Sequence, residues 1–185
     1  MGVISDKQEI TSLDYSFLFN SLFPNCKYHV KYFGVSRIKQ QTGFGKDIQE
    51  KTIRFADNLR RVRNSLQKHN VEYRATGNLL VRNRDECKKC GAKDYKMQEK
   101  GVDVGLAVDI VKDIYANRVK SVALFSSDTD LIPAVKIALE KNVKFTYITV
   151  QNHVNRALSR LSNENTIIVK DSLLAEAYAR SLKND

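Results

Sequence analysis

Asp128 and Asp130 stand two residues apart in the stretch LFSSDTDLIPAV, residues 124–135, directly after an apolar run and just ahead of Pro133. Carboxylates at such a junction have two readings. Either Asp130 simply caps a helix beginning at Leu131 by accepting its first N–H groups, or the pair belongs to a site. Asp6 closes the short apolar run in GVISDK, and Asp103 opens a helical pattern behind a lysine-rich segment. In an open parallel sheet, ligands bind beyond the carboxyl ends of the strands, and all four acids are predicted at that edge. If the strand before Asp6 lies beside the strand before Asp128, the four carboxylates converge. So placed, they repel one another unless a cation lies between them. Hard divalent ions that prefer oxygen ligands, Mg²⁺ or Mn²⁺, suit the set. Asp109 and Asp113, four apart, are predicted to face solvent, with Asp109 a secondary candidate.

A second chemistry lies in CKKCG, where Cys87 and Cys90 form half of a zinc ribbon. Zn²⁺ needs four ligands, and three completions are open: Cys26 with His29, acids such as Asp85 or Asp94, or the same cysteine pair from a second copy, giving a homodimer. The alternative is two unligated thiols. The same segment carries Lys88, Lys89, Lys93, Lys96 and Lys100. Cations beside an acidic pocket hold backbone phosphates. Tyr73, Arg74, Arg82 and Arg84 extend the basic character along the neighbouring strand, and Tyr95 is available to stack on an unpaired base. Ser126, Ser127 and Thr129 are set to contact phosphate or orient water. The plainer alternative for the lysines is a loop that serves solubility.

The elements that must position these residues follow from pattern. Short β-rich runs alternate with helical periodicity, which predicts βαβ units and a mainly parallel sheet with helices on both faces, a three-layer α/β/α (Rossmann-like) architecture. Strands are predicted over 3–5, 28–35, 71–81, 121–125, 143–150 and 166–169. In the helix predicted over 46–69, Phe55, Leu59, Val62 and Leu66 form one apolar stripe. Lys51, Arg54, Arg61 and Lys68 form a basic stripe facing away from it. A helix over 103–117 buries Leu106, Ala107, Ile110, Val111 and Ile114, and a last one runs from Asp171, as N-cap, to about Leu182. Residues 83–101 break the pattern and read as an inserted loop or hairpin.

With 185 residues, 42% of them apolar, the chain is long enough for one sizeable core, and a single domain is expected. Its formal net charge of +10 favours a polyanionic partner. No apolar run approaches the roughly 20 residues of a spanning helix, MGVISDKQEI lacks the apolar region of a signal peptide, and three cysteines are too few for a disulfide framework. These features predict a cytoplasmic protein.

EKGVDVGLAVDIV at 99–111, followed after a short strand by LFSSDTDLIPAVKIALEKNVKFTYI at 124–148, resembles the LabA-like branch of the NYN domains, in the PIN-like nuclease superfamily. That family has K-G-V-D-V and then S-G-D-S-D-F at the end of a central strand. Its opening strand ends in I-D-G-x-N, to which VISDKQEI aligns at Asp6. The resemblance implies a PIN-like fold and Mg²⁺- or Mn²⁺-dependent cleavage of nucleic acid, usually RNA, with Asp6, Asp103, Asp128 and Asp130 as the catalytic, metal-binding acids. This chain departs from the pattern at Lys7 and Glu9, where the family has Gly and Asn, and at Ser127, which replaces a glycine. Lys7 can contact phosphate, or pair with the carboxylates in place of a metal. The second case implies an inactive regulator that keeps the fold and binds nucleic acid or a protein partner.

Overall fold

The computed structural model describes residues 13–38, 46–83 and 95–183. In chain order its elements are α1 (Tyr15–Leu22), β1 (Lys31–Ile38), α2 (Lys46–Lys68), β2 (Glu72–Asn83), β3 (Tyr95–Lys100), α3 (Val102–Tyr115), β4 (Ser121–Phe125), α4 (Ile132–Glu140), β5 (Lys144–Val150), α5 (Arg156–Ser162), β6 (Thr166–Val169) and α6 (Asp171–Lys183). Short 3₁₀ turns, Thr129–Leu131 and Gln151–His153, precede α4 and α5. The α/β class is as predicted. Where one central sheet was expected, the described strands form two three-stranded sheets, β1-β2-β3 and β4-β5-β6. The chain divides into two compact units, one of the described residues through Tyr28 with those from Val104 on, the other of His29–Asp103.

In the first unit β4, β5 and β6 are all parallel, with Phe125 opposite Ile148 and Val150 opposite Val169. Such strands are covered on both faces and read as unbroken apolar runs. β5 fits this, since Phe145 through Thr149 are all buried. On one face Leu124, Phe145 and Tyr147 cluster with Leu131, Val135 and Leu158. Beside them Ile110 and Ile114 of α3 pack with Ala134, Ala138 and Val143. Leu106 and Ala107 touch both clusters, so α3, α4 and α5 share that face. α1 joins α6 through the Asp14 N–H, which donates to the Ala177 carbonyl at 3.0 Å. Asp171, expected as the N-cap of α6, is its first helical residue; the Lys170 carbonyl receives the Leu173 and Leu174 N–H groups instead.

The second unit is a mixed sheet, β1 parallel to β2 and β2 antiparallel to β3. β3 lies in the stretch read as an insertion, and its pairing from Asn83↔Tyr95 to Asn78↔Lys100 makes that stretch a hairpin whose connection lies outside the described residues. β1 starts at Lys31, not at Tyr28; Tyr28 lies in the connection after α1, where its hydroxyl donates to Asn20 Oδ1 at 2.7 Å. α2 brings Leu66 and Ile48 into a core that also holds Val35, Val71, Leu79 and Val81. β1 slips register on both sides of Val35, and there the Val35 carbonyl accepts from Arg63 Nη2 at 3.0 Å and from the Tyr73 hydroxyl at 2.8 Å.

Candidate functional site

β4 ends at Phe125 and the chain turns within five residues into a buried anchor, Leu131, which has no exposed surface. Between them Asp128 adopts an extended backbone, φ −77° and ψ 122°, and one of its carboxylate oxygens accepts the Asp130 N–H at 2.9 Å. The Asp128 N–H donates to Ser126 Oγ at 3.2 Å. Asp128 is therefore the acid that caps the turn, and Asp130 is not. Asp130, Thr129 and Ser127 are exposed, while Asp128 and Ser126 are half-buried. Pro133 sits in the first turn of α4, where its missing N–H has no intrahelical partner to lose.

A second loop meets this one at the carboxyl ends of β4 and β5. Asn155 caps α5 by accepting from the Ala157 N–H at 2.9 Å and the Leu158 N–H at 3.2 Å, and its amide nitrogen donates to the Ser127 carbonyl at 2.9 Å. The Asn155 N–H donates to the Tyr147 hydroxyl at 3.0 Å. That hydroxyl donates to the His153 carbonyl at 3.4 Å, which also receives Thr149 Oγ1 at 3.0 Å. Neither Asn155 nor Tyr147 was picked out from the sequence. An Asn just ahead of the apolar pair Leu158 and Leu161 is a helix-start signal that could have found the first. Nothing in KFTYITV marks the second.

Asp103, in the His29–Asp103 unit, stands in the first turn of α3, where the positive end of the helix dipole suits a carboxylate. Gly101, with φ +87°, makes the turn before it. Val102 packs so closely on Gly77 that a Cβ there would also lie 2.9 Å from the Lys100 carbonyl. Arg54 and Arg61 are exposed on α2, as are Arg82 and Lys100 on the hairpin. The Tyr95 ring, expected to be open to a base, has Lys51 Nζ 5.1 Å from its centroid. Asp113 pairs with Arg118 at 3.4 Å, and Asp109 is half-buried, not turned fully to solvent. Cys26 is an exposed free thiol, and His29 Nε2 lies 2.6 Å from Glu72. Asp6, Lys7, Glu9, Arg84, Asp85, Cys87, Lys88, Lys89, Cys90, Lys93 and Asp94 lie outside the described residues.

The donors at the end of β4 are oxygens, the type that hard cations prefer. Asp128 and Asp130 supply carboxylate oxygens, one of them spent on the turn, and no described Lys, Arg or His forms an ion pair with either. Among the described residues no group of three or more His, Cys, Asp or Glu side chains is placed to hold a metal ion. Asp128 and Asp130 follow the carboxyl end of β4, which pairs in parallel with β5, and open parallel sheets bind ligands at that edge. A family model for the NYN domain matches residues 23–169, across both compact units, and the chain belongs to that family. NYN domains bind nucleic acid and are part of the PIN-like nuclease superfamily. No curated protein matches the chain, and no solved structure does. None of the described helices is long and apolar enough to cross a membrane.

Proposed function

We propose that this NYN protein is a Mg²⁺- or Mn²⁺-dependent phosphodiesterase that cuts RNA. The reading is carried by one observation: a D-T-D pair that forms no ion pair with a described Lys, Arg or His follows a parallel strand in a chain matched as an NYN domain over residues 23–169. Asp128, through the oxygen not spent on Asp130, and Asp130 would hold the ion, with Asp103 and Asp6 completing the acidic set. When bound, such an ion neutralises the scissile phosphate and lowers the pKa of a water toward neutrality. The hydroxyls of the exposed residues Ser127 and Thr129 would contact the phosphate; Ser126 holds the backbone of Asp128 through its Oγ. Arg54 and Arg61, with Lys7, Lys88, Lys89 and Lys93, would grip flanking phosphates, binding that carries no base preference. A cytoplasmic location fits this role, and a zinc ion at Cys87 and Cys90 would be structural.

Labelled single-stranded RNA and DNA, incubated with the pure chain in Mn²⁺ or EDTA, test the reading. Cleavage of RNA that needs Mn²⁺ is expected. Asp128→Asn isolates the charge, because the amide oxygen still accepts the Asp130 N–H and keeps the turn. Its expected effect is a rate loss of about 10³-fold or more, since it removes a carboxylate from the ion, with an unchanged circular-dichroism spectrum. Undiminished activity excludes the mechanism. RNA bound but never cut by the wild type supports the regulator suggested by Lys7 and Glu9.

A further inference from the structure

We infer that Asn155 is the positioning residue of the acid loop, holding Asp128 and Asp130 in the orientation their ion requires; this rests on the nuclease reading above. Its side chain does two jobs at once. Oδ1 accepts from the Ala157 and Leu158 N–H groups at 2.9 and 3.2 Å, while Nδ2 donates to the Ser127 carbonyl at 2.9 Å. A helix cap needs an acceptor alone, and Ser, Thr or Asp serves as well. Only a side-chain amide offers acceptor and donor together at this length, which is what spanning two loops demands.

The bond to Ser127 lands at a decisive place. The Ser127 carbonyl and the Asp128 N–H belong to one peptide unit, and the N–H is held from the other side by Ser126 Oγ at 3.2 Å. A planar unit hydrogen-bonded at both its carbonyl and its N–H is restrained against rotation about its Cα–Cα axis. With Leu131 fully buried three residues on, the direction in which Asp128 leaves the backbone is set. Asn155 is itself held by the sheet, its N–H on the hydroxyl of Tyr147, whose side chain has no exposed surface. Position thus passes from the rigid strand β5 through Tyr147 and Asn155 to the peptide before Asp128. Carboxylates that share one ion must be kept within roughly 0.5 Å of their working geometry, a tolerance that an exposed loop meets only with such support.

Two variants of the full chain test the clamp. Asn155→Ser keeps the cap and is too short to reach Ser127; Asn155→Asp keeps cap and length and lacks the donor. Both are expected to hold the wild-type melting temperature within a few degrees, since all three residues cap well. Amide exchange at Asp128 and Asp130 is expected to speed up several-fold. Mn²⁺ affinity, read by water-proton relaxation, should fall about tenfold, the usual effect of losing an outer support of a metal site. In the cleavage assay kcat should drop at unchanged KM for RNA and recover in part as Mn²⁺ is raised, a response that a lost helix cap would not produce. Unchanged exchange and an unchanged Mn²⁺ titration in both folded variants would overturn the inference. A wild type that neither binds Mn²⁺ nor cuts RNA defeats the nuclease reading instead; faster exchange in the variants then still supports the clamp, and equal exchange overturns that too.

Discussion

At the scale of single residues, the chain uses small groups to set where its acids stand. Gly77 lacks a Cβ because Val102 and the Lys100 carbonyl occupy that space, and the tight crossing leads into the helix that begins beside Asp103. Gly77→Ala forces backbone as well as a side chain to move. The expected cost is about 1–3 kcal/mol, read as a lower urea midpoint at unchanged slope. Tyr147 poses the opposite problem, a polar tip in a core. Tyr147→Phe leaves the volume nearly unchanged and strips a partner from the Asn155 N–H and the Tyr147 share from the His153 carbonyl, so a loss of about 1–3 kcal/mol is expected in the same measurement.

At the scale of elements, helix ends and a strand irregularity carry the physics. Four helices stop at an asparagine in the left-handed region: Asn70, Asn117, Asn142 and Asn163 have φ of 55°, 52°, 57° and 43°. Asparagine tolerates that conformation better than other side chains, and it takes the place glycine often holds after a helix. Asn142→Ala, next to α4, is expected to cost about 1 kcal/mol, visible as a lower melting temperature. In the other unit Tyr32 and Tyr73 stack at 5.8 Å beside Arg63. Burial raises both hydroxyl pKa values above the ordinary tyrosine range; the charges of Tyr73 and Glu99 add to the rise for Tyr32, whereas for Tyr73 Arg63 partly opposes it and Glu99 adds to it. A raised folded pKa favours the protonated form. Its stabilisation is complete below the unfolded pKa, about 10, and disappears as pH rises through the folded values. Urea unfolding between pH 8 and 11 should therefore show a steeper loss for the wild type than for Tyr32→Phe/Tyr73→Phe; parallel curves would reject the assignment.

At the scale of the whole molecule, a net charge of +10 and an NYN domain point to a polyanion held through its phosphates. Binding of labelled single-stranded RNA by Asp128→Asn in EDTA is expected to weaken about tenfold or more between 50 and 200 mM salt, as three or four phosphate contacts require. An affinity indifferent to salt would argue against the basic surface. The sequence by itself determined the α/β class, the helix of residues 46–68 and the strand Thr166–Val169, because period and β-branching are local properties of a chain. It also determined the family, since KGVDV and SSDTD keep their order and types however the chain folds. Tertiary structure alone decided that the described strands pair as two sheets, that Asp128 and not Asp130 caps the turn, and that Tyr147 and Asn155 reach across to the acid loop. Each of these depends on which groups meet through space, and a hydrogen bond spanning 28 residues leaves no periodic trace along the chain.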